Sequence, residues 1–222
     1  MNNYLIECCA NSVQSAIYGE QGGANRTELC SQLDIGGITP LKADILKAKK
    51  TLRYPLHVLI RPRGGDFVYS NREFSKILSE IRFCKKSGCD GVVIGSLNRD
   101  SSINIKQTME MVDIAKPMHI TFHRAFDKGK DLLNNLEDVI SCKCDTLLTS
   151  GQKPDVNIGI HNLKKIIRIT NNRINILAGG GVNQFNIGAL YSIGIRNFHL
   201  SGIRQNTTDP LLIKDATNKI KG

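Results

Sequence analysis

A chain of 222 residues, 41% of them hydrophobic, can bury roughly 70% of its unfolded surface, yet no apolar run reaches the ~18 residues that a membrane span requires. The formal charge of +10 invites a nucleic-acid reading, but lysines such as Lys42, Lys47, Lys164, Lys165, Lys214 and Lys219 scatter over expected helix exteriors, and aromatics are only 5%, so no stacking stripe forms. Seven cysteines with no CxxC pair, and a beginning (MNNYLIECC) without a basic region and long apolar segment, lead us to expect reduced thiols in the cytoplasm rather than a disulfide framework.

Each short apolar run is followed by an amphipathic segment. In chain order the expected strands are 4–8, 26–30, 57–60, 92–95, 119–122, 146–149, 175–178 and 197–200; the expected helices are 12–21, 40–51, 71–86, 105–115, 132–140, 160–170, 184–192 and 210–220. Helix starts are signalled by Thr39 before Pro40, by Asp209 before Pro210, and by Ser70 followed three residues later by Glu73 as a capping box. The second, fourth and eighth strands are approached through a glycine and the third and fifth through Pro55 and Pro117, a two-step rhythm suited to repeated βαβα units. Strands alternating with helices of this length imply parallel pairing with right-handed crossovers. Eight such units without a linker or low-complexity stretch predict an α/β fold, a small TIM-type (β/α)8 barrel forming a single domain over 1–222, with short loops.

Buried parallel strands are normally apolar on both faces, so ionisable residues inside them are informative. Period-two alternation puts Leu5, Glu7 and Cys9 on one face of the first strand and Arg26, Glu28 and Cys30 on one face of the second. Leu59 shares a face with Arg61, Thr121 with His123, and His199 with Ser201. These groups fall toward the carboxyl ends of their strands, where barrel proteins collect their functional side chains. The stretch HVLIRPRGGDFVY, 57–69, changes from buried strand to charged loop within a few residues: Arg61 and Arg63 bracket a proline, and Gly64, Gly65 and Asp66 follow. The candidate polar site is Glu7, Glu28, Arg61 and His123, with Arg63 nearby; as an inert alternative, the same charges fill the upper barrel as an ion-pair network.

Cys9 and Cys30, on adjacent strands, form a candidate thiol pair for Cu(I) or another thiophilic ion, against the alternative that both are small core hydrophobes. Cys8 is expected to face the helices, and Cys84, Cys89, Cys142 and Cys144 to be inert. His57 and His119, at strand beginnings, read as structural and His161 as exposed. The glycine loops after the last two strands, AGGGV at 178–182 and LSGIR at 200–204, make Gly180, Gly181, Gly202 and Arg204, together with Arg63, a candidate anion site.

Nine stretches carry a resemblance to a known family: LIECCANS (5–12), GGANRTELC (22–30), GGITP (36–40), IRPRGGDFVYS (60–70), GCDGVVIGSL (88–97), TFHRAFD (121–127), LTSG (148–151), AGGGV (178–182) and FHLSG (198–202). In order and spacing the chain resembles the CutC family over nearly its whole length. The resemblance implies a cytoplasmic TIM-like barrel associated with copper homeostasis, and it puts the family's two mouth cysteines on Cys9 and Cys30. The chain departs from the family pattern at Asn25 and Asn11, usually aspartates there, and at Cys8. The expected ligand is therefore copper, as Cu(I), or alternatively a small anionic or phosphorylated metabolite turned over by the barrel with His123 or Glu28 as general base. Neither a nucleic acid nor a membrane is expected as partner; self-association is left open.

Overall fold

The apolar runs pair on both sides and close on themselves. In the computed structural model, which describes residues 4–221, eight parallel strands form a barrel in sequence order: β1 (Leu5–Ala10), β2 (Arg26–Leu29), β3 (Leu56–Leu59), β4 (Gly91–Ile94), β5 (His119–Phe122), β6 (Thr146–Thr149), β7 (Asn175–Gly179) and β8 (Asn197–Leu200). β8 pairs back onto β1, with His199 opposite Glu7. Around them run α1 (Val13–Gln21), α2 (Lys42–Thr51), α3 (Asn71–Lys86), α4 (Ile105–Ala115), α5 (Leu132–Ser141), α6 (Val156–Thr170), α7 (Ile187–Ser192) and α8 (Pro210–Lys221), completing the expected TIM-type (β/α)8 fold. No described helix is long and apolar enough to cross a membrane.

The outward strand residues, among them Ile6, Cys8, Leu29, Val58, Ile94, Phe122 and Phe198, meet the helices in one continuous core. Each fully buried aliphatic side chain there contributes about 1.5–3 kcal/mol. Cys8 packs so closely on α1 that a Cβ at Gly19 would lie 2.5 Å from its sulfur. The inward side is different, polar across much of its width. Asn25 Oδ1 accepts the Ile6 N–H at 2.9 Å, as Asp90 and Asp145 accept the N–H groups of Leu56 and Ile120 at 2.9 and 2.8 Å. An amide oxygen serves there as well as a carboxylate, which accounts for the asparagine at 25.

Several features differ from expectation, among them α7, which starts at Ile187 rather than at 184. The Thr39–Pro40 start is displaced: α2 begins at Lys42 after Leu41, because the Thr39 hydroxyl is drawn to the Arg61 carbonyl (3.1 Å) and the Glu80 carboxylate (2.9 Å). Helix α6 starts earlier than 160, since Asp155 accepts the N–H groups of Asn157 and Ile158, and Gly159, which reads as a breaker, fits the tight approach to Ser150 O. After β8 the chain forms a small antiparallel hairpin, β9 (Ile203–Arg204) with β10 (Thr207–Thr208), where an open glycine loop was expected. The capping box forms as read: the Ser70 hydroxyl accepts the Glu73 N–H while the Glu73 carboxylate accepts the Ser70 N–H. Asp209 caps the Leu211 N–H at 2.9 Å.

Candidate metal centre

β1 and β2 are staggered so that Cys9 lies opposite Glu28, both pointing inward. Cys30 follows β2 by one residue and is held by its N–H to Ala10 O at 2.9 Å, which sets it in the same inward cluster as Cys9, Leu59 and Val93. β8 then brings His199 against β1. Ligand atoms of Cys9, Glu28 and His199 all lie within 4.8 Å of one another. The neighbouring Cys30 thiol, with burial, pushes the Cys9 thiol well above its ordinary value, so without a cation Cys9 is protonated.

Glu7 lies one layer below. Its Oε1 takes a hydrogen bond from His199 Nδ1 at 2.7 Å and its Oε2 one from Arg26 Nε at 2.5 Å; His57 Nδ1 stands 3.9 Å away. Burial opposes its charge, but Arg26 and His199 outweigh burial and hold Glu7 well below the carboxylate range. The bond to Glu7 fixes the ring orientation of His199; against burial, the charge of Glu28 and the bond and charge of Glu7 push His199 above its ordinary value, so its Nε2 can serve as a ligand only after losing its proton. Glu28 is the opposite case. Burial, reinforced by the charge of Glu7 and by Cys30, pushes it up to about 8, so it is a neutral acid at pH 7, with a buried Oε2 that has no partner.

Above this cluster opens a cavity of about 300 Å³ at the carboxyl ends of the strands, walled by Leu33, Leu59, Phe67, Leu148, Val182 and Leu200 between polar groups. Arg61 lines it and is almost fully committed: Nη1 donates to the carbonyls of Ile35, Gly36 and Gly37, Nη2 to that of Gly65, and the guanidinium covers Phe67 at 4.6 Å. His123 accepts the Ala125 N–H on Nδ1 at 3.2 Å, which puts its proton on Nε2. Burial, with the Arg61 charge, pushes it down to about 3, so the ring is neutral. Arg124 reaches over Gly180, where a Cβ would come within 2.9 Å of its guanidinium; with φ at +102° that position suits only glycine.

The structure thus brings Cys9, Cys30, Glu28, Arg61, His123, Gly180 and Gly181 to one cavity, with Glu7 beneath them. Arg63, Gly202 and Arg204 do not line it. Arg63 is turned toward α3, its Nε bonded to Glu73 at 2.6 Å and its Nη2 to Asp66 at 2.9 Å. Gly202 packs on Ile213 and accepts the Asp209 N–H, and Arg204 pairs with Asp209 at 2.9 Å, because the hairpin after β8 folds both away. Two polar lining residues stood outside the candidate set, although alternation had already put His199 on the mouth-facing side of its strand. His199 shares the inward face of β8, and the closure of β8 on β1 was the signal for it; Arg124 sits in the HRAFD stretch directly after β5.

As a donor set, two thiols with an imidazole beside them suit a soft cation such as Cu(I), while the neutral Glu28 carboxyl is a poor ligand unless it loses its proton. Glu28 Oε2 is buried without a hydrogen-bond partner, with His199 Nδ1 3.9 Å away.

The sequence profile of the CutC family matches residues 4–204. A family protein CutC from Bacteroides fragilis is 44% identical over 203 residues, spanning 90% of this chain and 81% of that protein. The copper homeostasis protein cutC homolog of Homo sapiens is 39% identical over 201 residues, covering 90% of this chain and 74% of its own. The crystal structure of a CutC protein from Streptococcus agalactiae superposes with a TM-score of 0.85 at 27% identity, covering 89% of this chain and 98% of that one.

Proposed function

This chain belongs to the CutC family, and from that premise we propose that it binds copper as Cu(I) in the cytoplasm, at the carboxyl-end mouth of its barrel, through Cys9 and Cys30. His199, oriented by Glu7, supplies a nitrogen beside the thiols. The observation that carries this reading is the convergence of Cys9, Glu28 and His199 within 4.8 Å, with Cys30 adjoining. Reduced protein should compete with a Cu(I) chelator, and Cys9→Ser with Cys30→Ser should lower that affinity at least a hundredfold while the barrel stays folded by circular dichroism. An unchanged affinity in the double variant overturns the reading.

A second reading, an enzyme acting on a small anionic or phosphorylated metabolite, is favoured by one specific observation: the N–H groups of Gly180, Gly181, Val182 and Ser201 find no acceptor among the described residues. Arg61 would then hold the loops, and the Glu28 acid or His123 would move the proton. A panel of phosphate monoesters that leaves the melting temperature unmoved at millimolar concentration counts against it.

A further inference from the structure

The space above the thiols is far larger than an ion needs. The cavity of about 300 Å³ is of a size that holds small molecules, and it adjoins an outer hollow of about 660 Å³ that shares Arg61, Phe67 and Arg124 with it and adds Lys128, Gln152 and Lys153.

The polar groups of the upper wall are unequal in kind. Most of its carbonyls are taken: Arg61 Nη1 donates to Gly36 O and Gly37 O, the Val156 N–H to Gly180 O at 2.9 Å, Asn186 Nδ2 to Gly181 O at 2.9 Å, and the Thr208 hydroxyl to Ser201 O at 2.9 Å. Its donors are left over. Besides the four N–H groups already named, Arg61 Nε and His123 Nε2 are buried without a partner. Arg124 uses Nε and Nη2, not Nη1. Farther out, Lys128 and Lys153 are exposed, while among the described residues the lysines that form ion pairs are Lys49, Lys76 and Lys116. The carboxylate of the hollow, Asp127, is occupied by Arg124 Nε at 2.8 Å and by Thr149 and Ser150. A wall of free donors under a cationic rim calls for a guest rich in acceptors and negative in charge. The floor calls for soft metal.

We propose that copper reaches this site as an anionic Cu(I) complex of a small thiol that carries carboxylates, which docks on the donor wall and passes the ion to Cys9 and Cys30 by ligand exchange. The proposal rests on the Cu(I) reading of the site. In the exchange the two Cu–S bonds to the carrier thiolates break and two Cu–S bonds to Cys9 and Cys30 form. The two cysteine protons leave on the departing carrier sulfurs, so an anionic bis-thiolate complex becomes an anionic bis-cysteinyl one plus two neutral thiols. Copper stays Cu(I), and no electron is transferred. The wall holds the carrier's carboxylates while its sulfurs face the floor.

The test compares two Cu(I) donors by stopped flow at low ionic strength: the complex with glutathione, which bears carboxylates, and the complex with 2-mercaptoethanol, which bears none. Transfer to the reduced protein should be at least tenfold faster from the glutathione complex. Lys128→Glu with Lys153→Glu, both on the surface, should remove that advantage and leave equilibrium Cu(I) affinity and melting temperature unchanged. Equal rates from the two donors, or an advantage that survives the charge reversal, overturn the proposal while leaving the Cu(I) site standing. Failure to take copper from either donor, together with no competition against a chelator, removes the site and the proposal with it.

Discussion

Glu7 is the residue whose chemistry reaches both layers of the barrel interior, since one oxygen orients His199 at the mouth and the other neutralises Arg26 below. Glu7→Gln would leave a buried guanidinium without its counterion, costing about 3–5 kcal/mol in urea denaturation. It would also let the His199 ring turn, lowering Cu(I) affinity about 10–100-fold in chelator competition. Two buried histidines, His57 and His123, set a pH dependence of known sign. Burial, aided by Arg26 for His57 and Arg61 for His123, pushes each down to about 3. Depressed values mean that the unfolded chain takes up protons which the fold refuses, so their contribution is fully present above about pH 6.5 and is lost as pH falls toward 3. By pH 5 each should cost roughly 2 kcal/mol. His123→Asn should flatten the fall of unfolding free energy between pH 7 and 5. At this scale the sequence was readable where alternation alone decides the matter, as for Glu7, Cys9, Glu28 and Cys30. It was not readable for Arg63, whose long side chain could choose between the mouth and Glu73 and took the nearer carboxylates.

Among the elements, the join between the ends of β5 and β6 carries the rim. Asp127 accepts from Arg124 Nε, from the Thr149 hydroxyl at 2.5 Å, from the Ser150 N–H at 3.0 Å and from the Gln152 N–H at 3.0 Å, so one carboxylate fixes a whole loop and the arginine that covers Gly180. Hydrogen bonds to a charged group are worth ~1.5–3 kcal/mol each when removed singly. Asp127→Asn keeps the shape and part of the bonding, and should cost about 2–3 kcal/mol by thermal or urea unfolding. The stretches HRAFD and LTSG marked where this join would be, but not that the aspartate of one would serve the backbone of the other. Strand positions were legible to within one or two residues because apolar runs and their flanking Gly, Pro and Asp residues are local signals. The start of α6 and the β9–β10 hairpin were not, since the first depends on Gly159 finding Ser150 O beside it and the second on Thr208 reaching Ser15 and Ser201.

At the scale of the whole molecule, closure was legible because eight alternating units have few other ways to bury both faces of every strand. The depth of each inward side chain was not, because it follows from the stagger between strands, which no single strand encodes. That stagger has a temporal consequence. β1 and β8 are the first and last staves, and their seam is where Glu7 meets His199. During synthesis the two cysteines emerge early, yet the imidazole that stands beside them arrives only when nearly all the chain has left the ribosome. A nascent or truncated polypeptide therefore exposes thiols without the assembled cluster, which exists only once the ring is complete.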